Sequence, residues 1–154
     1  MSITQVELKH QSRRLAGALP DWTLLELKDK NVEFMLTKNE FRTIRGKVYG
    51  LEYTVLYSDS YEVPVMYFTA FGQDGTVAEL DEISENGLSD MTISQIEHPV
   101  YFRPFFQVHP CRTKEFMKCH NISNYLLAWL TTVGNLIGLK VELTSELSSI
   151  LFED

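Results

Sequence analysis

Cysteine is scarce in this chain. Two occur in 154 residues, Cys111 and Cys119. They form no Cys-x-x-Cys pair, which argues against a dithiol redox motif. His98, His109, Cys111, Cys119 and His120 carry zinc-binding atoms, but their spacing fits none of the common structural patterns. No metal and no cofactor are therefore expected. There is no Walker sequence and no Gly-x-Gly-x-x-Gly, so the usual phosphate-cradling loops are excluded. Long apolar runs are missing too. The longest, Tyr125 to Leu139, is too short and too interrupted for a bilayer, so no integral membrane segment is expected. Positive charge is in deficit, with a net charge of -7, which disfavours a general nucleic-acid or anionic-membrane surface. The small cluster Arg42, Arg45 and Lys47 reads as a solvated strand face. Scarce cysteine and the lack of a signal peptide point to a reducing, cytoplasmic setting. No repeat, low-complexity tract or linker interrupts the chain, so residues 1–154 are read as one domain.

What is present is a helix, a block of strands and a second helix. Thr4 and Glu7 have capping-box spacing, and Leu8, Leu15, Ala16 and Leu19 share a face, predicting a helix that ends at Pro20-Asp21. Trp22 to Leu27 and Val32 to Thr37 read as short strands. Alternation through Tyr53, Val55 and Tyr57, the turn Ser58-Asp59-Ser60, and alternation through Val63 to Phe71 predict a long hairpin, with Pro64 near a strand start or on an edge. Leu80 to Ser84 suits a short helix, with Gly87 a plausible C-cap. Met91 to Gln95 is ambiguous, and Pro99, Pro104 and Pro110 cut the next segment into extended pieces. Ile122, Tyr125, Leu126, Trp129, Leu130, Val133 and Leu136 then recur at helical spacing. The tail from Lys140 to Asp154 reads as a short strand and a last helical turn. Helices flanking a block of antiparallel strands make this an α+β fold rather than a doubly wound sheet.

Chemistry concentrates at His109-Pro110-Cys111-Arg112-Thr113. A strand that stops at a proline hands the next residue to a turn, which presents a thiol rather than burying it. The thiolate is the reactive form. The competing reading is a small core residue, since free cysteine is often buried. His109, two residues before Cys111, shares its face if both are extended, and is a candidate to tune the thiol. A cysteine hydrolase would draw on Cys111, a histidine such as His98 or His109, and Asn121 or Asn124, but nothing in the spacing assembles such a triad. Tyr61 sits at or just past a hairpin turn, where its hydroxyl can reach a neighbouring loop or simply lie on the surface. Glu79, Asp81, Glu82 and Glu85 read as solvated surface.

Three stretches together carry a resemblance. They are EYTVLYSDSYEVPVMYF from Glu52 to Phe68, then TISQIEHP from Thr92 to Pro99 with PFFQVHPCRTKEFM from Pro104 to Met117, and NYLLAWL from Asn124 to Leu130. In this order they resemble the autophagy-related protein ten family, ubiquitin-conjugating-enzyme-like enzymes of autophagy. A sister family also carries His-Pro-Cys, but the tyrosine hairpin favours the first. The resemblance implies a ubiquitin-conjugating-enzyme-like fold: an N-terminal helix on an antiparallel sheet, a cysteine loop, then a helix. It implies that Cys111 accepts a ubiquitin-like modifier, autophagy-related protein twelve, from an activating enzyme, autophagy-related protein seven. The modifier would pass from the thioester to a lysine of autophagy-related protein five, bound directly. Ordinary ubiquitin-conjugating enzymes place an oxyanion-binding asparagine after an upstream His-Pro. Here His98-Pro99 is followed by Val100. Tyr61 is the first substitute, with Asn121 and Asn124 as alternatives, while His109 is a candidate to help the attacking lysine lose its proton. The rival functions are a non-catalytic binding module of the same fold and a cysteine hydrolase.

Overall fold

Thr4 opens the first helix by accepting the Glu7 N–H on its hydroxyl at 3.2 Å. This helix, α1, spans Gln5–Ala18 in the computed structural model, which describes residues 2–28, 31–84, 92–117 and 124–141. Glu7 does not reach back to complete a capping box. It accepts instead from the Gln11 amide at 3.1 Å. Gln11 is itself buried, and its carbonyl oxygen takes the Leu126 N–H at 2.8 Å, which ties α1 to the start of the last helix.

Six antiparallel strands follow among the described residues: β1 Trp22–Glu26, β2 Phe34–Ile44, β3 Lys47–Ser58, β4 Val63–Phe71, β5 Ile93–Glu97 and β6 Pro104–Val108. Their order across the sheet is β1-β2-β3-β4-β6-β5. β2 runs well past Thr37, where the sequence pattern alone ends it. Lys38, Glu40 and Arg42 fall on the same side as the core residues Leu36 and Ile44, so charge hides the alternation. The strand then turns through Arg45 and Gly46, whose φ angles of 50° and 81° suit the twist of a tight hairpin. Arg42 is not a solvated charge, contrary to expectation. It bonds Glu40 at 2.9 Å and the hydroxyl of buried Tyr53, which in turn donates to Glu40 at 2.8 Å. Arg45 donates to the carbonyls of Asp81, Glu82 and Ser84 around the short helix α2, Leu80–Ile83. Glu79, Asp81 and Glu82 are exposed, as expected, and Glu79 and Glu82 also cap α2 reciprocally.

Pro64 lies inside β4 but beyond the reach of β6, which pairs only with Tyr67 and Phe68, so its missing N–H costs no ladder bond on that side. Of the ambiguous Met91–Gln95 window, Met91 lies outside the described residues and Ile93–Gln95 fall in edge strand β5, registered against β6 from Ile93↔Val108 to Glu97↔Pro104.

A five-residue helix α3, Thr113–Met117, follows the cysteine, and α4 covers Tyr125–Ile137. Asn124 caps α4 through its side-chain oxygen on the Leu127 N–H at 2.9 Å. Gly138 closes it with φ 84°, and a side chain at Gly134 would meet the Leu139 carbonyl at 2.9 Å. The apolar stripe of α4 packs with α1 onto Leu36, Tyr53, Val55, Met66, Phe68 and Phe106. Full burial of Leu126 and Leu130 contributes about 1.5–3 kcal/mol each. The opposite sheet face carries a smaller core of Met35, Leu56, Val65, Tyr67 and Phe105. Among the described residues, no helix is long and apolar enough to cross a membrane. Gly87, Glu85, Cys119, His120, Asn121, Ile122 and the tail after Val141 lie outside the described residues.

Candidate active site

The strand β6 sets up the site. It ends at Val108, and the His109 N–H donates to the Thr92 carbonyl at 2.9 Å, so β5 and β6 still grip the chain there. Pro110 then starts a one-turn 3-10 segment, Pro110–Arg112, which leads into α3. Pro110 suits that place because its φ is preset and its missing N–H would have no partner in a first turn. His109 caps the turn: its Nδ1 accepts the Cys111 N–H at 3.1 Å. Pro110 and Thr113 are buried on either side, while Cys111 is exposed. The core-residue alternative for Cys111 is therefore removed. Arg112 pairs with Glu115 at 3.3 Å on the same surface.

The β3–β4 turn supplies the second wall. Ser58 holds it from both ends, its carbonyl taking the Glu62 N–H at 2.8 Å and its hydroxyl the Tyr61 N–H at 3.2 Å. Glu62 is left-handed at φ 55°, a conformation a non-glycine residue adopts at a cost of about 1–2 kcal/mol. The turn so formed puts the Tyr61 ring edge-on to His109, with centroids 5.7 Å apart and planes at 81°. Tyr61 is 39% exposed, and its hydroxyl has no hydrogen bond among the described residues. The fold thus brings together Tyr61, His109 and Cys111 from segments about fifty residues apart in sequence. The acceptor role of Nδ1 assigns the proton of the neutral His109 ring to Nε2, which is then a donor.

Asn124 is not at this wall in the same way. It is 3% exposed, and its oxygen is engaged as the α4 cap. Asn121 lies outside the described residues. His98 is elsewhere and fully buried. Its Nδ1 accepts the N–H groups of Val100 and Tyr101, each at 3.1 Å, and its Nε2 bonds the Thr54 hydroxyl at 2.8 Å. Both ring nitrogens are committed, leaving none for a metal or for Cys111. Burial, and secondarily the Arg103 charge, lowers its pKa to about 4. Among the described residues no group of histidine, cysteine and carboxylate side chains is placed to hold a metal ion. Sequence reasoning missed Ser58 as the brace of the Tyr61 turn and Thr92 as the anchor of His109. A serine opening a hairpin turn was the available signal for the first. A backbone carbonyl leaves none for the second.

The helix-sheet-cysteine loop-helix order, with an exposed thiol at the end of the sheet, defines a ubiquitin-conjugating-enzyme-like domain. A family model described as autophagocytosis associated protein, active-site domain, matches residues 5–144. The human ubiquitin-like-conjugating enzyme ATG10 is 40% identical over 118 residues, covering 64% of this chain and 53% of that protein. The Arabidopsis thaliana enzyme of the same name is 30% identical over 122 residues, covering 66% and 54%. The chain spans about half the length of these curated relatives. The crystal structure of the autophagic E2 Atg10 superposes with a TM-score of 0.61 at 17% identity, covering 91% of this chain and 99% of that one. Solution structures of KmAtg10 give 0.60 at 14% identity, covering 90% and 97%. The chain belongs to the autophagocytosis-associated active-site family, on its ATG10 side.

Proposed function

We propose that this chain is a conjugating enzyme of autophagy that carries a ubiquitin-like modifier as a thioester on Cys111 and passes it to a lysine. The observation that carries the reading is the exposed Cys111 in a turn capped by His109 and flanked by Tyr61. In the finer form of the proposal, the modifier is autophagy-related protein twelve. It comes from autophagy-related protein seven and goes to autophagy-related protein five, bound directly. Residues 1–154 act as one domain in a cytoplasmic setting.

The chemistry runs in two exchanges. The Cys111 thiolate attacks the activated carboxyl carbon of the modifier, and the activating enzyme's thiol leaves. The lysine amine then attacks that carbonyl, forms an isopeptide bond and expels the Cys111 thiolate, while the amine's proton passes to solvent or a nearby base. The lysine attack passes through an oxyanion, for which a placed donor contributes about 3 kcal/mol. The Tyr61 hydroxyl is the assigned donor, supported by its lack of a hydrogen-bond partner among the described residues and by the ring's place against His109. His109 acts by holding the turn and by the N–H at Nε2, a role its bond from Cys111 supports over proton uptake from the lysine.

A charging reaction tests this. The protein is mixed with the autophagy activating enzyme, the modifier and ATP, then run on a non-reducing gel. The expected result is a shifted band that reductant removes, and that resists reductant in Cys111→Ser. Absence of a band with a demonstrably active activating enzyme would leave the non-catalytic binding module as the better reading.

A further inference from the structure

The turn that carries Tyr61 is held from outside by a segment far away in sequence. The residue before the α1 cap, Ile3, is buried at 6% exposure. Its N–H donates to the Glu62 carbonyl at 2.9 Å. Its own carbonyl accepts the Tyr57 hydroxyl at 2.8 Å. One residue is thus bonded to both arms of the β3–β4 turn, on the last residue before β4 and on the penultimate residue of β3. Thr4, next in the chain, is committed to α1, so the clip is anchored to a helix packed on the sheet. Glu62 is the left-handed residue of the turn, directly after Tyr61. Such a conformation persists where surrounding structure over-determines it, and it clusters at functional sites.

We propose that Ile3 and Tyr57 are positioning residues for the transfer step: they clamp the strained turn so that Tyr61 stays edge-on to His109 beside Cys111. The proposal rests on the role given above to Tyr61. Neither Ile3 nor Tyr57 touches the reacting atoms. Their contribution is orientation, and misplacement of a catalytic group by about an ångström is enough to slow a reaction by orders of magnitude. Because charging brings in its own activating enzyme and discharge to an amine depends on the donor, the clamp should show in discharge.

The test is a single-turnover chase. The enzyme is charged with modifier, charging is stopped, and free L-lysine is added as the nucleophile. Tyr57→Phe removes the hydroxyl donor but keeps the ring. It is expected to charge at the wild-type rate and to discharge about tenfold more slowly. In a Tyr61→Phe background the same change is expected to add no further slowing, since both act through one group. Ile3→Pro, which deletes the N–H given to Glu62, is expected to reproduce the pattern. Wild-type discharge by Tyr57→Phe, or an undiminished further loss in the Tyr61→Phe background, would overturn the clamp. So would equal slowing of charging and discharge with a lowered melting temperature, which marks a general structural role. If Tyr61→Phe itself discharges normally, the donor reading fails and the clamp with it. If Tyr61→Phe is slow and Tyr57→Phe is not, the clamp alone fails.

Discussion

Two His-Pro dipeptides in this chain do the same local job in opposite surroundings. In each, the histidine Nδ1 accepts the N–H two residues on, from Val100 at His98 and from Cys111 at His109, both at 3.1 Å. Each thereby turns the chain after a proline. His98 goes on to bond Tyr101 and Thr54, stacks against Tyr101 at 4.8 Å and has no exposure. It is a lock between β3 and the β5–β6 connection. His109 is half-buried, touches Tyr61 edge-on and holds an exposed thiol in its turn. One motif therefore serves stability and the other serves a site. What separates them is whether the turn closes over a core or opens to solvent.

The comparison breaks most visibly at the thiol. Cys111→Ala is expected to abolish modifier transfer and leave the melting temperature unchanged, because an exposed side chain in a turn contributes little to stability. A melting temperature several degrees lower would mean that Cys111 packs in the core. The histidines themselves come next. His98→Ala leaves the buried Thr54 hydroxyl and two part-buried N–H groups without their partner, so a loss of about 3 kcal/mol in urea unfolding is expected. His109→Ala, whose partner N–H lies at the surface, is expected to cost about 1 kcal/mol or less. Equal losses would erase the distinction between the two turns.

Acid gives a third test. Folding holds His98 neutral, with a pKa near 4 against 6.5 when unfolded. Between those values the unfolded chain binds a proton that the folded one does not. This contribution to stability is fully present above pH 6.5 and is lost as pH falls towards 4, by about 3 kcal/mol in all. An NMR titration of the His98 ring should show its midpoint near 4. A midpoint at 6.5 would mean that water reaches the ring. Finally, Tyr61→Phe is expected to slow lysine attack by about a hundredfold and charging much less, read as separate single-turnover rates. Equal slowing of both steps would remove Tyr61 from the oxyanion.

Much of the fold was legible where pattern and packing agree. The Tyr53-to-Phe71 hairpin, α1 and α4 follow from alternation, from the Thr4 cap and from a broad apolar stripe, and the structure has them. Legibility failed at β2, because the inward positions 38, 40 and 42 are charged. Their charges are tolerable there only because Glu40, Arg42 and Tyr53 satisfy one another. It failed again at β5, where a mostly polar strand exists because β6 offers an edge.

For the site, Cys111 could be read from one line of sequence, since Pro110 ends a strand and hands the next residue to a turn. The amino-acid order also determined the helix starts, the hairpin turns and the resemblance that gathers them, all of which are local properties of neighbouring residues. Only the tertiary structure decided that His98 is sealed and His109 is not, that Tyr61 lies against His109, and that Ile3 bridges both arms of the turn carrying Tyr61. Burial and proximity between distant segments arise when the sheet closes against its helices. No spacing within a single stretch records which segments will then meet.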